Sequence, residues 1–205
     1  MIMNFLFKTL KDVRDEVYVF GNELFDTKNP QPPLPSLVIG DYGFLQEPYE
    51  SLLHIAGYLE AAQAIVFRYT RIVEKFSELP LSPRAQDPES FRIFIASTLM
   101  EEYAHHLYAF LNNFRIGELA KQRMKMAHDS LGKKDFINFA THYMATVIIE
   151  SRWEAIAHVA ADFYLKKIGA SLYTFSTKRD VDMGVLIRDL IDPHKLGFNL
   201  LRQLD

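Results

Sequence analysis

Apolar residues recur at steps of three and four along most of this chain, the period of helices that each bury one face. Residues 4–25 give the first such stretch. Phe7, Leu10, Val13, Val17 and then Phe20 or Leu24 form its stripe, and Lys11, Arg14, Asp15 and Glu16 its wet side. The prolines of Asn29-Pro30-Gln31-Pro32-Pro33-Leu34-Pro35 stop that helix and predict an extended connector, with a turn at Gly40-Asp41-Tyr42-Gly43. Over 48–78 the seam Leu52, Ile55, Leu59, Ala62, Val66, Tyr69, Val73, Phe76 predicts a long bundle helix, with Glu60 and Gln63 on its second face. Asp87-Pro88 is expected to cap and open the next helix, which runs to about Phe114. Residues 116–130 continue helically or after a kink, and Leu131-Gly132-Lys133-Lys134 is a stop. A further long helix is expected over 135–168, with Phe139, Tyr143, Thr146, Glu150, Trp153, Ala157, Ala160 and Tyr164 along one face. A last helix is expected over 179–203, kinked at Asp192-Pro193.

No strand-like alternation competes with this pattern, so the expected class is all-α: a four-helix bundle with an extra N-terminal helix. Residues 1–205 read as one domain, in which residues 1–47, a peripheral helix and its Pro-rich connector, pack on the bundle. A length of 205 residues with 49% hydrophobic and 24% charged residues suits one domain with a sizeable core.

The chain has no cysteine, which excludes disulfides, thiolate sites and iron–sulfur clusters and leaves His, Asp and Glu as metal ligands. A net charge of −3 argues against a nucleic-acid partner. Arg115, Lys121, Arg123, Lys125, Lys133 and Lys134 read as a solvated loop and helix end. The N-terminal apolar stretch is too short for a signal segment, and no run is long enough to span a membrane, so a cytoplasmic location is expected.

The candidate chemistry centres on Glu101-Glu102-Tyr103-Ala104-His105-His106. Glu102 and His105 fall on one helix face in line with Phe91, Ile95, Thr98 and Ala109, a face expected to be buried. A carboxylate and an imidazole are costly to bury without a partner, and a metal ion is one such partner. The plainer reading makes Glu102 and His106 a surface ion pair. On the 135–168 helix Glu150 stands among bulky residues, and Glu154, His158 and Asp162 follow on an adjacent face. The last helix offers Asp189, Asp192 and His194. Carboxylates at 60, 102, 150 and 192 thus recur at near-regular spacing, one per long helix. Trp153 reads as core, and His54 and His142 as ordinary partly buried histidines.

Glu101-Glu102-Tyr103-Ala104-His105-His106 is similar to the Glu-Glu-x-x-His-His stretch of the ferritin-like di-iron carboxylate superfamily, in its tRNA-hydroxylase branch. Ile149-Glu150-Ser151-Arg152, with Glu154 after it, is similar to that branch's Ile-Glu-Ala-Arg stretch. Leu59-Glu60-Ala61-Ala62 resembles its first-ligand region more faintly. The resemblance covers about residues 50–165. It implies ligands Glu60, Glu102, His105 and Glu150, with Glu102 and Glu150 as bridges. It also implies two iron ions, or one, with manganese as the alternative metal. The implied activity is O₂-dependent oxidation or hydroxylation of a small organic substrate. The chain departs from the family on the fourth helix, which lacks a Glu-x-x-His step. The remaining ligands then come from Glu154 and His158, or from Asp189 or His194. Two alternatives stay open: an iron oxidase built like haem oxygenase, which His158 and Asp162 would suit, and a metal-free helical domain for binding or assembly. Whether a second copy of the chain is a partner is left open, and no membrane partner is expected. Glu102 and His105 are expected to be buried and to face Glu60 and Glu150.

Overall fold

The structure is a computed structural model that describes residues 2–27, 29–40, 55–72 and 88–170. It is mostly helical, as the periodicity predicts, with a small sheet added. Helix α1 spans Ile2–Leu24, strand β1 Ser36–Gly40, strand β2 Ala56–Leu59 and strand β3 Ala64–Arg68. Helices α2 (Pro88–Leu111), α3 (Ile116–Gly132) and α4 (Phe136–Lys167) follow.

Helix α2 is the centre of the molecule. It carries apolar residues on nearly every side, so it has no wet face to turn outward and is packed from several directions. α1 covers one side. Leu6, Leu10, Val13 and Val17 are its buried stripe, and Phe7 is 65% exposed, so the stripe begins one residue earlier than expected. α1 is therefore part of the core and not a peripheral addition. Its backbone comes close at Gly21, where an added Cβ would stand 2.8 Å from the Tyr103 ring. Tyr103 stacks on Tyr18 at 4.1 Å and donates to Asn22 Oδ1 at 2.9 Å. Glu16 ties three helices together: it accepts from Arg92 of α2 at 2.9 Å and from the Tyr164 hydroxyl of α4 at 3.1 Å.

The bundle helix predicted over 48–78 is corrected where the structure describes it. Residues 56–68 form a hairpin. β2 pairs antiparallel with β3, with Leu59 opposite Ala64 and Ala56 opposite Phe67, and β1 pairs parallel with β3 on its other edge. The run Ala64-Ile65-Val66-Phe67 is buried on both faces, as a central strand should be. A short run of apolar residues fits either period, and two features decide for the strand. The β-branched pair Ile65-Val66 favours extended backbone. Glu60–Ala62 makes a single 3-10 turn that Gln63 closes at φ 46°, and this reverses the chain. The four-helix count expected from the sequence included this segment. The expected helix over 179–203, with Asp189, Asp192 and His194, lies outside the described residues, as do His54 and the turn at 41–43.

The other helices match the predicted boundaries closely. α2 ends because Asn113 and Phe114 both adopt left-handed backbone, and the Phe114 N–H returns to the Ala109 carbonyl at 2.6 Å. Asp135 caps α4 by accepting from the Asn138 N–H at 3.2 Å. The C-terminal half of α4 packs into the core through Ala157, Ala160 and Tyr164. Its N-terminal half leaves Phe136, Ile137, Met144 and Ile148 exposed.

Candidate metal centre between helices α2 and α4

Neighbouring helical residues point about 100° apart, since a turn takes 3.6 residues. The two adjacent histidines of α2 therefore serve different surroundings. His106 turns to the sheet and the connector, while Glu101, Glu102 and His105 turn to α4.

His106 is fully buried. Its Nε2 lies 2.7 Å from the Pro33 carbonyl and its Nδ1 3.1 Å from the Tyr58 hydroxyl. A carbonyl only accepts, so Nε2 carries the hydrogen and Nδ1 accepts from Tyr58. The ring also stacks on Tyr103 and packs edge-on to Tyr58. Burial lowers its pKa below the ordinary 6.5, with the Pro33 hydrogen bond opposing. Every polar atom is used, so His106 is a structural residue and not the surface partner of Glu102.

Glu102 is also buried, at 6% exposure, near the backbone N–H of Tyr58, which pulls its pKa down. Its pKa stands well above the ordinary 4.5. Burial is the largest cause, followed by the charges of Glu101 and Glu154. His105 is 7% exposed and packs edge-on against Trp153 at 5.3 Å. Its Nε2 lies 3.7 Å from Glu154 Oε2. One step round the helix, Glu101 Oε1 is 3.5 Å from His158 Nδ1. Glu154 meets both sets. Its pKa is raised by desolvation first and then by Glu101 and Glu150, with His158 pulling the other way.

Among the described residues, Glu101, Glu154 and His158 each offer a ligand atom within 4.8 Å of the others. Bonds of about 2.1 Å to one ion place ligand atoms roughly 3–4 Å apart, so modest side-chain rotations close this set. Glu154 and His158 are exposed and Glu101 half-buried, so they have room to rotate. Two carboxylates and an imidazole, with His105 and Glu102 beside them, suit iron, manganese or zinc and not a soft metal.

The sequence-derived candidates divide accordingly. Glu102, His105, Glu154 and His158 are brought to one place. Glu150 is exposed on α4 one turn before Glu154, close enough to raise the pKa of Glu154, but outside the group of three. Glu60 is not on a bundle helix. It sits on the 3-10 turn, and its carboxylate accepts the first N–H groups of α3, Ile116 at 2.9 Å and Gly117 at 2.6 Å. This binding of an anion to a helix N-terminus uses both its oxygens. Glu102 and His105 are buried as expected, but face Glu154, where Glu60 and Glu150 were anticipated. His194 lies outside the described residues. Glu101 was passed over in favour of Glu102. The signal that finds it is the Glu154-x-x-x-His158 pair of α4, which needs an acid on the flank of α2.

No protein-family model matches the chain, and no curated protein or solved structure matches it either. No described helix is long and apolar enough to cross a membrane.

Proposed function

We propose that this chain is a metal-dependent oxidoreductase that uses iron to bring O₂ to a small organic substrate, with its centre between α2 and α4. The observation that carries the reading is the convergence of Glu101, Glu154 and His158 from two helices onto one point. Glu101, Glu154 and His158 hold the ion, and Glu102 and His105 complete the donor set from the buried side. Iron supplies one-electron redox chemistry and open positions for O₂. The chain's own residues do the rest. Glu102 and Glu154, crowded and resistant to charging, are relieved by a cation. Trp153 holds the His105 ring from the side and shields it from water. Kinship with ferritin-like proteins enters through α2 and α4 alone, the pair that carries Glu-x-x-His and Glu-x-x-x-His.

Elemental analysis of the purified protein tests this. Iron or manganese in wild type and its loss in Glu154→Ala supports the centre. Equal metal content in both proteins removes Glu154 from the ligand set. Absence of metal from both, even after anaerobic exposure to ferrous iron, leaves the metal-free helical domain as the reading.

A further inference from the structure

One group of rings beside the cluster has no part in holding a metal. Trp153 lies edge-on to His105 with centroids 5.3 Å apart, and Tyr58 lies edge-on to Trp153 at 6.5 Å. Both separations are those of rings in contact. The indole Nε1 of Trp153 is buried and finds no acceptor among the described residues. An oxidised indole there has no base to take its proton, so it keeps the proton and passes the oxidising equivalent on. The next ring is different. The Tyr58 hydroxyl donates to His106 Nδ1 at 3.1 Å, and the Pro33 carbonyl holds that imidazole in the tautomer that accepts at this atom.

We propose that Trp153 and Tyr58 form a one-electron relay that leads out of the α2–α4 cluster and ends on Tyr58. This rests on the metal reading for its natural oxidant, the O₂-oxidised ion. Trp153 would give up one electron to that oxidant, leaving the indole radical cation. Tyr58 returns an electron to Trp153 and its phenolic O–H bond breaks, the proton moving to His106 Nδ1. The products are a neutral tyrosyl radical, an imidazolium on His106 and an oxidant reduced by one electron. Three other buried tyrosines among the described residues lack one part or another. Tyr103 donates to an amide oxygen of Asn22, which is no base. Tyr18 finds no acceptor among the described residues. Tyr164 has a base in Glu16, but its ring packs on Phe20, and among the described residues no ring contact joins it to Trp153.

The test needs no bound metal. The chain contains no cysteine, so Glu150→Cys gives a sole attachment point, one helical turn from Trp153, for a ruthenium polypyridyl photo-oxidant. Flash oxidation of the labelled protein followed by electron paramagnetic resonance should show a tyrosyl radical. Adding Tyr58→Phe should abolish that signal and leave a tryptophan radical in its place. His106→Gln should do the same, with circular dichroism confirming the fold of each. A tyrosyl signal undiminished by Tyr58→Phe overturns the relay, and so does an absence of both radicals in the labelled parent. A relay that works in a protein that binds no metal would leave the relay standing and sink the metal reading, so the two failures are distinguishable.

Discussion

The two sides of α2 carry the same residue types and treat them in opposite ways. On the sheet side, His106 is buried with both nitrogens bonded, one to a carbonyl and one to a hydroxyl. On the α4 side, Glu101 meets His158 at 3.5 Å and His105 meets Glu154 at 3.7 Å, with the buried Glu102 beside them, and the carboxylates of Glu102 and Glu154 resist ionisation. A satisfied buried polar group fixes a structure, whereas carboxylates crowded together are tolerated only at a cost to stability. The contrast gives one side of the helix to structure and leaves the other as the place for the metal proposed above.

The most disruptive way to probe the contrast is His106→Ala. It empties a packed site and strands the Tyr58 hydroxyl and Pro33 carbonyl, so a loss of about 2–5 kcal/mol is expected from denaturant unfolding. A loss below about 1 kcal/mol would break the comparison, because His106 would then not be structural. Next comes Glu60→Ala, which uncaps α3 and should cost about 0.5–2 kcal/mol by the same measurement. A change in iron binding in that variant would contradict the placement of Glu60 away from the centre. Smallest in size but most informative in sign is Glu102→Gln, which should make the metal-free protein more stable at neutral pH. A destabilised variant would show that the Glu102 carboxylate has a partner beyond those among the described residues.

The pH dependence sharpens the same contrast. Glu102 has a folded pKa above the unfolded 4.5, so the native state binds the proton more tightly. Its penalty is present at neutral pH and is relieved as pH falls through the raised value towards 4.5. His106 has a folded pKa below the unfolded 6.5, so the unfolded chain takes up the proton first. Stability from this residue is lost as pH falls from 6.5 towards the lowered value. Unfolding midpoints measured across this range should show the stabilising trend shrink in Glu102→Gln to the part that Glu154 supplies. A slope unchanged by that substitution would contradict the assignment.

Helix periodicity made α1, α2, α3 and α4 legible within a few residues at their ends, because each has a long repeat and the chain is punctuated between them: the prolines from 30 to 35, proline at 88, and the stop at Leu131-Gly132-Lys133-Lys134. It failed at 56–68. There the seam from Leu52 to Phe76 kept a helical period, but within it the run Ala64-Ile65-Val66-Phe67 fits both periods, and pairing with β1, distant in sequence, selected the strand. The site was half legible for the same reason. Glu102 and His105 could be read from one helix alone, and the structure bears out their burial. Which acid they face depends on how α4 is rotated against α2, and that shifts the partner from Glu150 to Glu154, one turn on. The part given to Glu60 failed with its helix.

The central claim is that one point between α2 and α4 holds a transition-metal ion. Anomalous diffraction at the iron edge, on crystals of the protein loaded anaerobically with ferrous iron, tests it directly. The account predicts an anomalous peak within bonding distance of Glu101, Glu154 and His158. A peak elsewhere, or none at saturating iron, would contradict it.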